Sequence, residues 1–533
     1  MKKIICCLLI ISFMFFNGCV EKDVQTSKSE QIRNYIVYNI GKMPKDLFML
    51  NDSNIRQQDL LNNLFEGLIR LDDNGKITPA IAQSWTLSKD ETCYTFKIKD
   101  NAKWSDGTYI TAEDFVNFFK EILNKDVENK YAEQLYCIFG AENYKNGKTD
   151  FSNVAIRALD KKSLEIRLNY PCCYFLNLLA QPTYGIRKID NNLKDWSKNY
   201  KNILYSGYFI ISDFKNNNEM MLVKNKNYWN KDSVKSDKIC ITFNDGSEAS
   251  LAAFQSSKIN LFTKPPISEV KNLMSKDSII QQGSLSVGAL VFNLKKDTIV
   301  KDVNFRKAVS ECIDRDAISK NILNDSAKSG LSFIPEGVSN GTNGVYINKE
   351  FFSASIQKDK ALNFIKNSKY NKDSDSLKII YLDTVENKKI CENIAKNLKD
   401  NLQIKVNCEG YGTEELNDEM KKGDYDMAKI QYEAAYDYPL SFLEQWQSSS
   451  KNNVYGYSNA VFDNMVVKAR IESDGSKKIA ELRTAEDILM EELPVIPMYF
   501  NKILVCKKYN IKGVSINQMG NLDFHNLEIV TEA

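Results

Sequence analysis

A run of aromatic and acidic side chains near residue 435 has the residue types best suited to holding a small ligand. It reads Lys429-Ile430-Gln431-Tyr432-Glu433-Ala434-Ala435-Tyr436-Asp437-Tyr438-Pro439. A tyrosine combines a stiff apolar ring with a polar hydroxyl, so it can stack on a ligand or form a hydrogen bond with it. Because protein cores also use tyrosine, we expect at least one of these three tyrosines to be buried instead.

The residue inventory argues against the commonest kinds of catalysis. The chain has a single histidine, His525, which leaves no Ser-His-Asp set in the body of the chain and no histidine-rich metal site. The pattern G-x-x-x-x-G-K-[ST] is absent, so the chain carries no P-loop for ATP hydrolysis. These absences argue against an enzyme and against a metal or cofactor site.

Length and charge set the scale of the fold. A chain of 533 residues is too long for one small core, so two or three lobes are expected. Lys and Arg number 71 against 69 for Asp and Glu, and this balance gives no electrostatic reason to expect nucleic acid as a partner.

The N-terminus has the organisation of a secretory signal peptide, predicted here for residues 1–18. Lys2 and Lys3 precede an apolar run from Ile4 to Phe16, which is too short to span a membrane comfortably. Gly18-Cys19 resembles the lipidation signal of bacterial lipoproteins, in which the cysteine becomes the first residue and carries two acyl chains. Residues 19–33 would then be a polar, lipid-anchored tether; the alternative is ordinary cleavage with Cys19 unmodified.

The remaining cysteines do not form a recognisable motif. None has C-x-x-C spacing, and two are adjacent, which suits neither a zinc site nor an easy disulfide. We expect them to be buried free thiols. They are Cys93, Cys137, Cys172, Cys173, Cys240, Cys312, Cys391, Cys408 and Cys506.

Apolar periodicity predicts the elements that would position a site. Thr92 to Lys99 alternates as a strand with one wet face, and Thr111 with Asp114 is expected to cap a helix. The other predicted elements are a strand over Asn34–Asn39, a helix over Leu60–Ile69, turns over Asp72–Gly75 and Ser105–Thr108, a hairpin over Val154–Leu168, a helix begun by proline over Pro171–Pro182, a strand over Ser284–Leu294, and an αβ unit over Leu377–Leu382, Cys391–Leu398 and Ile404–Tyr411.

Several literal strings are more specific than these periods. They are NLFEGL at Asn63, P-x-x-A-x-S-W at Pro79, YTFKIKDNAKWSDG at Tyr94, F-R-x-A-V at Phe305, I-D-R at Ile313, GDYDMA at Gly423 and LPVIPMY at Leu493. Together they resemble the signature of the extracellular solute-binding proteins of the oligopeptide/dipeptide class, the ligand-capturing subunits of ABC importers. The resemblance runs from about residue 34 to residue 500.

The resemblance implies an α/β fold, bilobal and periplasmic-binding-protein-like with an extra domain: three lobes, mixed sheets and a hinge of two crossings. Lobe I would comprise residues 34–65, 200–285 and 500–533, lobe II 66–199 and lobe III 286–499. The ligand would lie between lobes I and III, which close around it about the hinge.

A peptide in such a cleft would bind mainly through its backbone, as an added strand. The strand containing Ser284, Ser286, Val287 and Gly288 is one candidate to dock it, although this segment equally reads as a plain core strand. The other predicted ligand-binding residues are Gln431, Tyr432, Ala435, Tyr436 and Asp437.

One position departs from the family pattern. Peptide-binding relatives typically read W-x-A-D-Y-x-x-P here, and their aspartate pairs with the peptide's α-ammonium. An ungapped match places Tyr432 on the aromatic residue and Ala435 on the aspartate. A buried ammonium without a counter-charge is costly. Either Asp437 or Glu433 supplies the charge from a shifted position, or the ligand has no free α-amine there, or the ligand is not a peptide.

We therefore predict a monomeric, extracytoplasmic substrate-binding lipoprotein on the outer face of the cell membrane. It would capture an oligopeptide or similar solute and deliver it to an ABC permease and its ATPase. The alternatives are a sensing lipoprotein for peptide signals and a binder of a non-peptide solute such as a chelated metal.

Overall fold

The computed structural model describes residues 34–530 except 52, 53, 73, 74, 342, 343, 347, 348, 372–375 and 518. The predicted signal peptide and the whole predicted tether, Cys19 included, therefore lie outside the described residues, as do the two central residues of the predicted turn at Asp72. From Tyr35 onward the chain forms one compact unit. The predicted lobe boundaries stay predictions.

The strands alternate with helices along most of the chain. They are β1 Ile36–Asn39, β2 Ile69–Leu71, β3 Ile77–Pro79, β4 Ala82–Leu87, β5 Cys93–Ile98, β6 Ile156–Asp160, β7 Ser163–Arg167, β8 Phe209–Lys215, β9 Glu219–Lys224, β10 Lys238–Thr242, β11 Leu261–Thr263, β12 Ile279–Phe292, β13 Ala327–Ser329, β14 Leu377–Leu382, β15 Val406–Tyr411, β16 Met427–Glu433, β17 Val495–Lys507, β18 Ile511–Lys512, β19 Ser515–Ile516, β20 Leu522–Asp523 and β21 Glu528–Ile529.

The α-helices vary from one turn to five. They are α1 Ile55–Leu64, α2 Ala112–Ile122, α3 Ala141–Lys145, α4 Phe175–Leu179, α5 Asn191–Lys194, α6 Trp196–Asn199, α7 Ser247–Gln255, α8 Val270–Ser275, α9 Val303–Glu311, α10 Lys358–Lys366, α11 Val385–Leu402, α12 Thr413–Lys422, α13 Pro439–Leu443, α14 Ala460–Ile471 and α15 Gly475–Glu492. Short 3-10 turns lie between them, and Ala317–Ile322 is a π-helical turn.

Most strands belong to one mixed sheet. Their order is β15-β14-β16-β12-β17-β11-β1-β10-β9-β8, with β13 beside β17. β14 runs parallel to β15 and β16, and β1 runs parallel to β10 and β11, while the other pairs are antiparallel. A second sheet of order β4-β5-β7-β6 stands apart. This mixed α/β architecture agrees with the predicted fold class.

The long strands β12 and β17 connect the two halves of the large sheet. They pair from Ile279 to Gly283 and again from Val287 to Val291, with a break in register between Gly283 and Val287. One apolar core packs on the sheet half that contains β1 and β8–β10, and another packs α9–α11 on the half that contains β14 and β16. The break lies where the two crossings near residues 285 and 500 are predicted.

Most local predictions are confirmed. Thr111 and Asp114 form a reciprocal capping box at the start of α2, the hairpin forms as β6 and β7, and β14-α11-β15 is the expected αβ unit. In β5, Tyr94, Phe96 and Ile98 are buried while Lys97 is exposed. Among the described residues, Cys93 and the eight cysteines after it are free, and seven of these nine are buried.

Two predicted helices have the wrong bounds. The Leu60–Ile69 helix is α1, Ile55–Leu64, and it ends at Leu64 because Phe65 is extended and the Leu68 carbonyl accepts from the amides of Ala80 and Ala82 in a sheet-like turn. The Pro171–Pro182 helix is only α4, Phe175–Leu179. After Leu64, tertiary pairing of the backbone overrides an apolar spacing that fits a helix, and after α4 the backbone becomes extended at Gln181.

Candidate functional site

β16 has an unpaired backbone edge. It pairs with β12 along its whole length, from Met427 to Glu433, but β14 covers only Met427 to Lys429 on the other side. Among the described residues, no backbone hydrogen bond reaches that second side from Ile430 to Glu433. Unpaired strand backbone is a ready template for an extended chain.

Polar side chains cover the same face of the sheet beside this edge. Gln431 donates from Nε2 to Ser286 Oγ at 2.7 Å and accepts from the Tyr499 hydroxyl at 3.3 Å. Asn501 Nδ2 also donates to Ser286 Oγ, at 3.2 Å. This network joins β12, β16 and β17, and it leaves Gln431 exposed at its surface.

Gly288 makes this arrangement possible. It pairs with Gln431 on one side and with Tyr499 on the other. A Cβ at Gly288 would lie 2.1 Å from the Tyr499 ring, far inside van der Waals contact. Only glycine therefore lets the Tyr499 ring lie across the strand with its hydroxyl at Gln431.

Lys429 is a buried cation without an acidic partner. Its side chain lies on the same face of β16 as that of Gln431, is 5% exposed and has its Nζ 5.5 Å from the Tyr499 ring centroid. Within the described residues it has neither a hydrogen bond nor an ion pair from Nζ. Because a buried ammonium without a counter-charge is costly, an anionic group of a ligand would be stabilised here.

Lys429, Gln431 and Glu433 of β16, with Ser286 and Asn501 beside them, are called the polar strip below. Glu433 and Ala435 lie at its other end. Glu433 is exposed and pairs in register with Ser286. Ala435 is exposed as well; its amide donates to Ser441 Oγ at 2.8 Å, and its carbonyl accepts from Gln134 Nε2 at 3.1 Å. Gln134 in turn accepts from Gln181 and Tyr184. The segment that the sequence assigns to lobe II therefore contacts the loop after β16.

The other predicted site residues on this loop are engaged within the protein. Tyr436 is 3% exposed, donates to Glu444 Oε1 at 2.9 Å and stacks on Tyr174 with centroids 4.8 Å apart. Tyr438 stacks on the same ring at 5.2 Å. The expectation that at least one of the three tyrosines is core is thus confirmed. Tyr432 is half-buried, and its hydroxyl donates to the Ser441 carbonyl.

Asp437 is buried, and no charged side chain among the described residues forms an ion pair with it. It is 6% exposed, and its Oδ1 accepts from the Ser339 amide at 2.8 Å. Burial raises the pKa of its carboxyl to about 6. Its visible role is to hold the segment around Ser339 against the loop.

The predicted docking strand lies inside the sheet. Val287 and Gly288 have a neighbouring strand on both sides, and Val287 is fully buried in the core. Ser284 falls in the register break and donates from Oγ to the Asn501 carbonyl at 3.0 Å. A ligand strand therefore has no open edge at Val287 and Gly288, whereas ligand contact by Ser284, Ser286, Tyr432 and Tyr436 stays a prediction.

A cavity of about 340 Å³ adjoins the register break. It is lined by β12, β13, β17 and the segment after β13, and Lys328 and Glu336 form an ion pair at its wall with Nζ and Oε2 2.6 Å apart. The lining residues are Gln281, Gln282, Gly283, Ser284, Lys328, Pro335, Glu336, Phe500, Asn501 and Lys502.

The described part of the chain contains neither a metal-binding cluster nor a membrane-spanning helix. No three side chains of His, Cys, Asp or Glu come together there as a metal-binding group. No helix in it combines the length and the hydropathy that crossing a membrane requires.

The sequence did not single out Lys429, Tyr499 or Asn501. A lysine at an alternating strand position is usually solvated, and only its 5% exposure in the folded chain shows that this one is buried. The sequence signal that could have indicated Lys429 is its position directly after the GDYDMA string.

Comparison with known proteins agrees with the fold and the motifs. Residues 76–454 match the family model of bacterial extracellular solute-binding proteins, family 5 Middle. The oligopeptide-binding protein OppA of Bacillus subtilis is 30% identical over 97% of this chain and 96% of its own length, and the dipeptide-binding protein DppE of the same organism is 28% identical over 87% and 86%.

A solved structure extends this agreement to three dimensions. The murein tripeptide binding protein MppA of Escherichia coli, 24% identical, superposes with a TM-score of 0.78 over 94% of this chain and 99% of its own. The fold is thus that of the periplasmic binding proteins. The chain belongs to the bacterial extracellular solute-binding proteins of family 5, which are extracytoplasmic binding proteins and not enzymes.

Proposed function

We propose that this protein is a lipid-anchored receptor that captures a short peptide on the open edge of β16 and delivers it to an ABC permease and its ATPase. The open edge carries the proposal, because added-strand binding uses backbone hydrogen bonds and therefore accepts many sequences. The relatives OppA and DppE, which are named for binding oligopeptides and dipeptides, support the same class of ligand.

Lys429 would hold the ligand's carboxylate at one end of that edge. The ligand would supply the counter-charge that the described protein residues do not, and closure of the cleft would strengthen the pair by excluding water. Closure itself would be a shift towards the closed arrangement, driven by the ligand's higher affinity for it. The predicted lobes would close about β12 and β17, at the register break.

The anchor would be Cys19, with residues 20–33 as the tether. Replacing Cys19 with serine is expected to release the protein from the membrane fraction. A Cys19→Ser protein that stays fully membrane-bound would contradict the lipid anchor and leave peptide capture unaffected.

Calorimetry with free and C-terminally amidated peptides tests the site. A charge-assisted hydrogen bond contributes about 1.5–3 kcal/mol, so the free acid should bind about ten- to a hundredfold more tightly than the amide. Lys429→Met is expected to remove that preference. Lys328→Met, which removes an exposed lysine already paired with Glu336, is the matched control and should retain it.

A wild-type protein that binds neither peptide form would overturn the proposed function. Binding of both forms with equal affinity would leave peptide capture in place but remove Lys429 from the site.

A further inference from the structure

One end of the large sheet is rich in lysine. At this end β1, β10, β11 and β12 begin and β17 ends. The Lys508 amide donates to the Asn260 carbonyl and the Lys507 amide to the Ser278 carbonyl, each at 3.0 Å. Because adjacent strands are about 4.8 Å apart, these five strand ends form an edge about 19 Å wide. The lysine edge, as it is called below, comprises Lys238, Lys258, Lys276, Lys507, Lys508 and Tyr509.

Acidic side chains do not balance the lysine edge. Lys238 and Lys276 are exposed, and neither forms an ion pair among the described residues. Their acidic neighbours in the chain are Asp277, which is exposed, and Asp237, whose Oδ1 lies 2.9 Å from Lys224 Nζ. The lysine edge therefore carries a net positive charge.

The opposite end of the same strands has no such excess. The Lys42 Nζ there lies 3.7 Å from Asp245 Oδ2. The exposed charged side chains at that end include as many acids as lysines: Lys42, Lys215 and Lys264 with Asp245, Glu219 and Glu248. A chain rich in lysine throughout would show the excess at both ends, so the lysine edge is a local feature.

A largely exposed aromatic ring lies at the same edge. Tyr509 is 70% exposed and lies in the turn that the Ile511 amide closes by donating to the Lys508 carbonyl at 3.0 Å. Tyrosine is enriched where a membrane meets water, because its ring is amphipathic and suits the level of the headgroups. A tyrosine among lysines is thus suited to an anionic lipid surface.

The chain also enters the fold at the lysine edge. Tyr35 begins the compact unit and directly precedes Ile36, which pairs with Ile239, so Tyr35 lies beside Lys238. The predicted tether, residues 19–33, comes before it in the chain and can span at most about 50 Å when fully extended. The lysine edge is therefore the part of the fold nearest in the chain to the proposed lipid anchor.

We propose that the lysine edge binds anionic phospholipid headgroups, with Tyr509 at their level, and so orients the tethered receptor on the membrane. This inference rests on the proposed membrane anchor. A lysine near an anionic membrane surface strengthens binding about fivefold, and the attraction fades within a Debye length, about 10 Å at 0.1 M salt. The contact is weak enough to orient the anchored protein without replacing the lipid. The register break in β12 would lie about 13 Å or more from the headgroups.

Vesicle co-sedimentation tests the lysine edge without the anchor. The full-length Cys19→Ser protein is mixed with vesicles of phosphatidylcholine alone or of phosphatidylcholine with phosphatidylglycerol. Phosphatidylcholine alone measures binding by the apolar N-terminus, which all variants share. The protein should bind the mixed vesicles at least about tenfold more tightly, and about 1 M salt, with a Debye length of about 3 Å, should abolish the difference.

Three sets of substitutions locate the contact. Lys238→Gln with Lys258→Gln and Lys276→Gln should lower binding to the mixed vesicles at least about tenfold, whereas arginine at the same three positions should retain it. The matched control removes the same charge from three exposed lysines of α10 and should lower binding less than about twofold. Its substitutions are Lys358→Gln, Lys360→Gln and Lys366→Gln.

The outcomes separate this inference from the proposed function. Equal losses in the edge and α10 glutamine variants, a loss in the arginine variant, or equal binding of both vesicle types by the Cys19→Ser protein would each overturn the lysine edge as a lipid contact. None of these results bears on peptide capture, which calorimetry measures on the same proteins. The edge variants should retain the peptide affinity of the Cys19→Ser protein.

Discussion

The signature block and the β16 strip use charged side chains in opposite ways. Glu66 of the NLFEGL string is 5% exposed, and its two oxygens accept from the Tyr228 hydroxyl at 2.7 Å and the Trp229 indole at 2.6 Å. In the strip, Lys429 and Glu433 have no such partners within the described residues. In the signature block the charged side chain is paired within the protein, whereas the charged side chains of the β16 strip are not paired by the described residues.

Other motif residues behave like Glu66. Arg306 donates to the carbonyls of Val300, Lys301 and Glu492, and Arg315 donates to that of Pro497. The Arg306–Glu492 and Arg315–Pro497 contacts hold segments together that are distant in the chain. Under the proposed function, the ligand would be held by a charge that the fold does not satisfy.

The largest expected effect comes from Glu66. Replacing Glu66 with alanine leaves the buried donors of Tyr228 and Trp229 unsatisfied, and breaking such a network costs about 3–5 kcal/mol. Urea unfolding should show this loss, with Glu219→Ala as the exposed control. Peptide affinity of the remaining folded fraction should be unchanged; a selective loss of affinity would mean that the signature block also binds ligand.

Next is a pH effect from two buried acids. Burial raises the pKa of Asp437 to about 6 and that of Glu486 to about 7. These carboxyls accept from the amides of Ser339 and Ile334 and from the Tyr346 hydroxyl. Their pKa values are higher folded than unfolded, so the stability they contribute is present below about pH 4 and is lost as the pH rises through 6 and 7.

Between pH 5 and pH 8 this loss should be about 3 kcal/mol in the free energy of unfolding, as an order of magnitude. Denaturant titrations at both pH values measure it. The double variant Asp437→Asn with Glu486→Gln should flatten the dependence, and an unchanged slope would assign it to other groups.

Alanine substitutions at two glycines of β12 should separate the effect of packing against Tyr499 from the effect of reduced chain flexibility. Gly288→Ala forces the Tyr499 ring away and should destabilise the protein by about 1–3 kcal/mol, with loss of peptide capture. Gly283→Ala on the same strand meets nothing within 4 Å and should be nearly neutral. Similar effects from both would show that the Tyr499 contact does not organise the site.

The smallest expected effect has the opposite sign. Lys429→Met removes a buried charge that has no partner, so the unliganded protein should gain about 1 kcal/mol of stability while it loses its preference for a free carboxylate. Urea unfolding without ligand checks the gain. A clear loss of stability would indicate that Lys429 serves the fold as Glu66 does.

Local chemistry was enough to predict much of the fold from the sequence. The capping pair Thr111 and Asp114, the alternation around Phe96 and the β14-α11-β15 unit depend on neighbours in the chain, and all three are present. The family motifs established the class of protein and focused attention on Gln431 to Asp437.

Tertiary structure alone decided which of those residues are available. Tyr436 and Asp437 are of residue types that suit ligand binding, but they are buried by packing against Tyr174 and Ser339. Conversely, the open edge of β16 exists because β14 covers only part of its neighbour. Lys429 is buried because it packs beside the Tyr499 ring. Burial and strand pairing depend on residues far apart in the chain, and for that reason the sequence determined the family while only the fold shows that Lys429, Tyr436 and Asp437 are buried and that the edge of β16 is open.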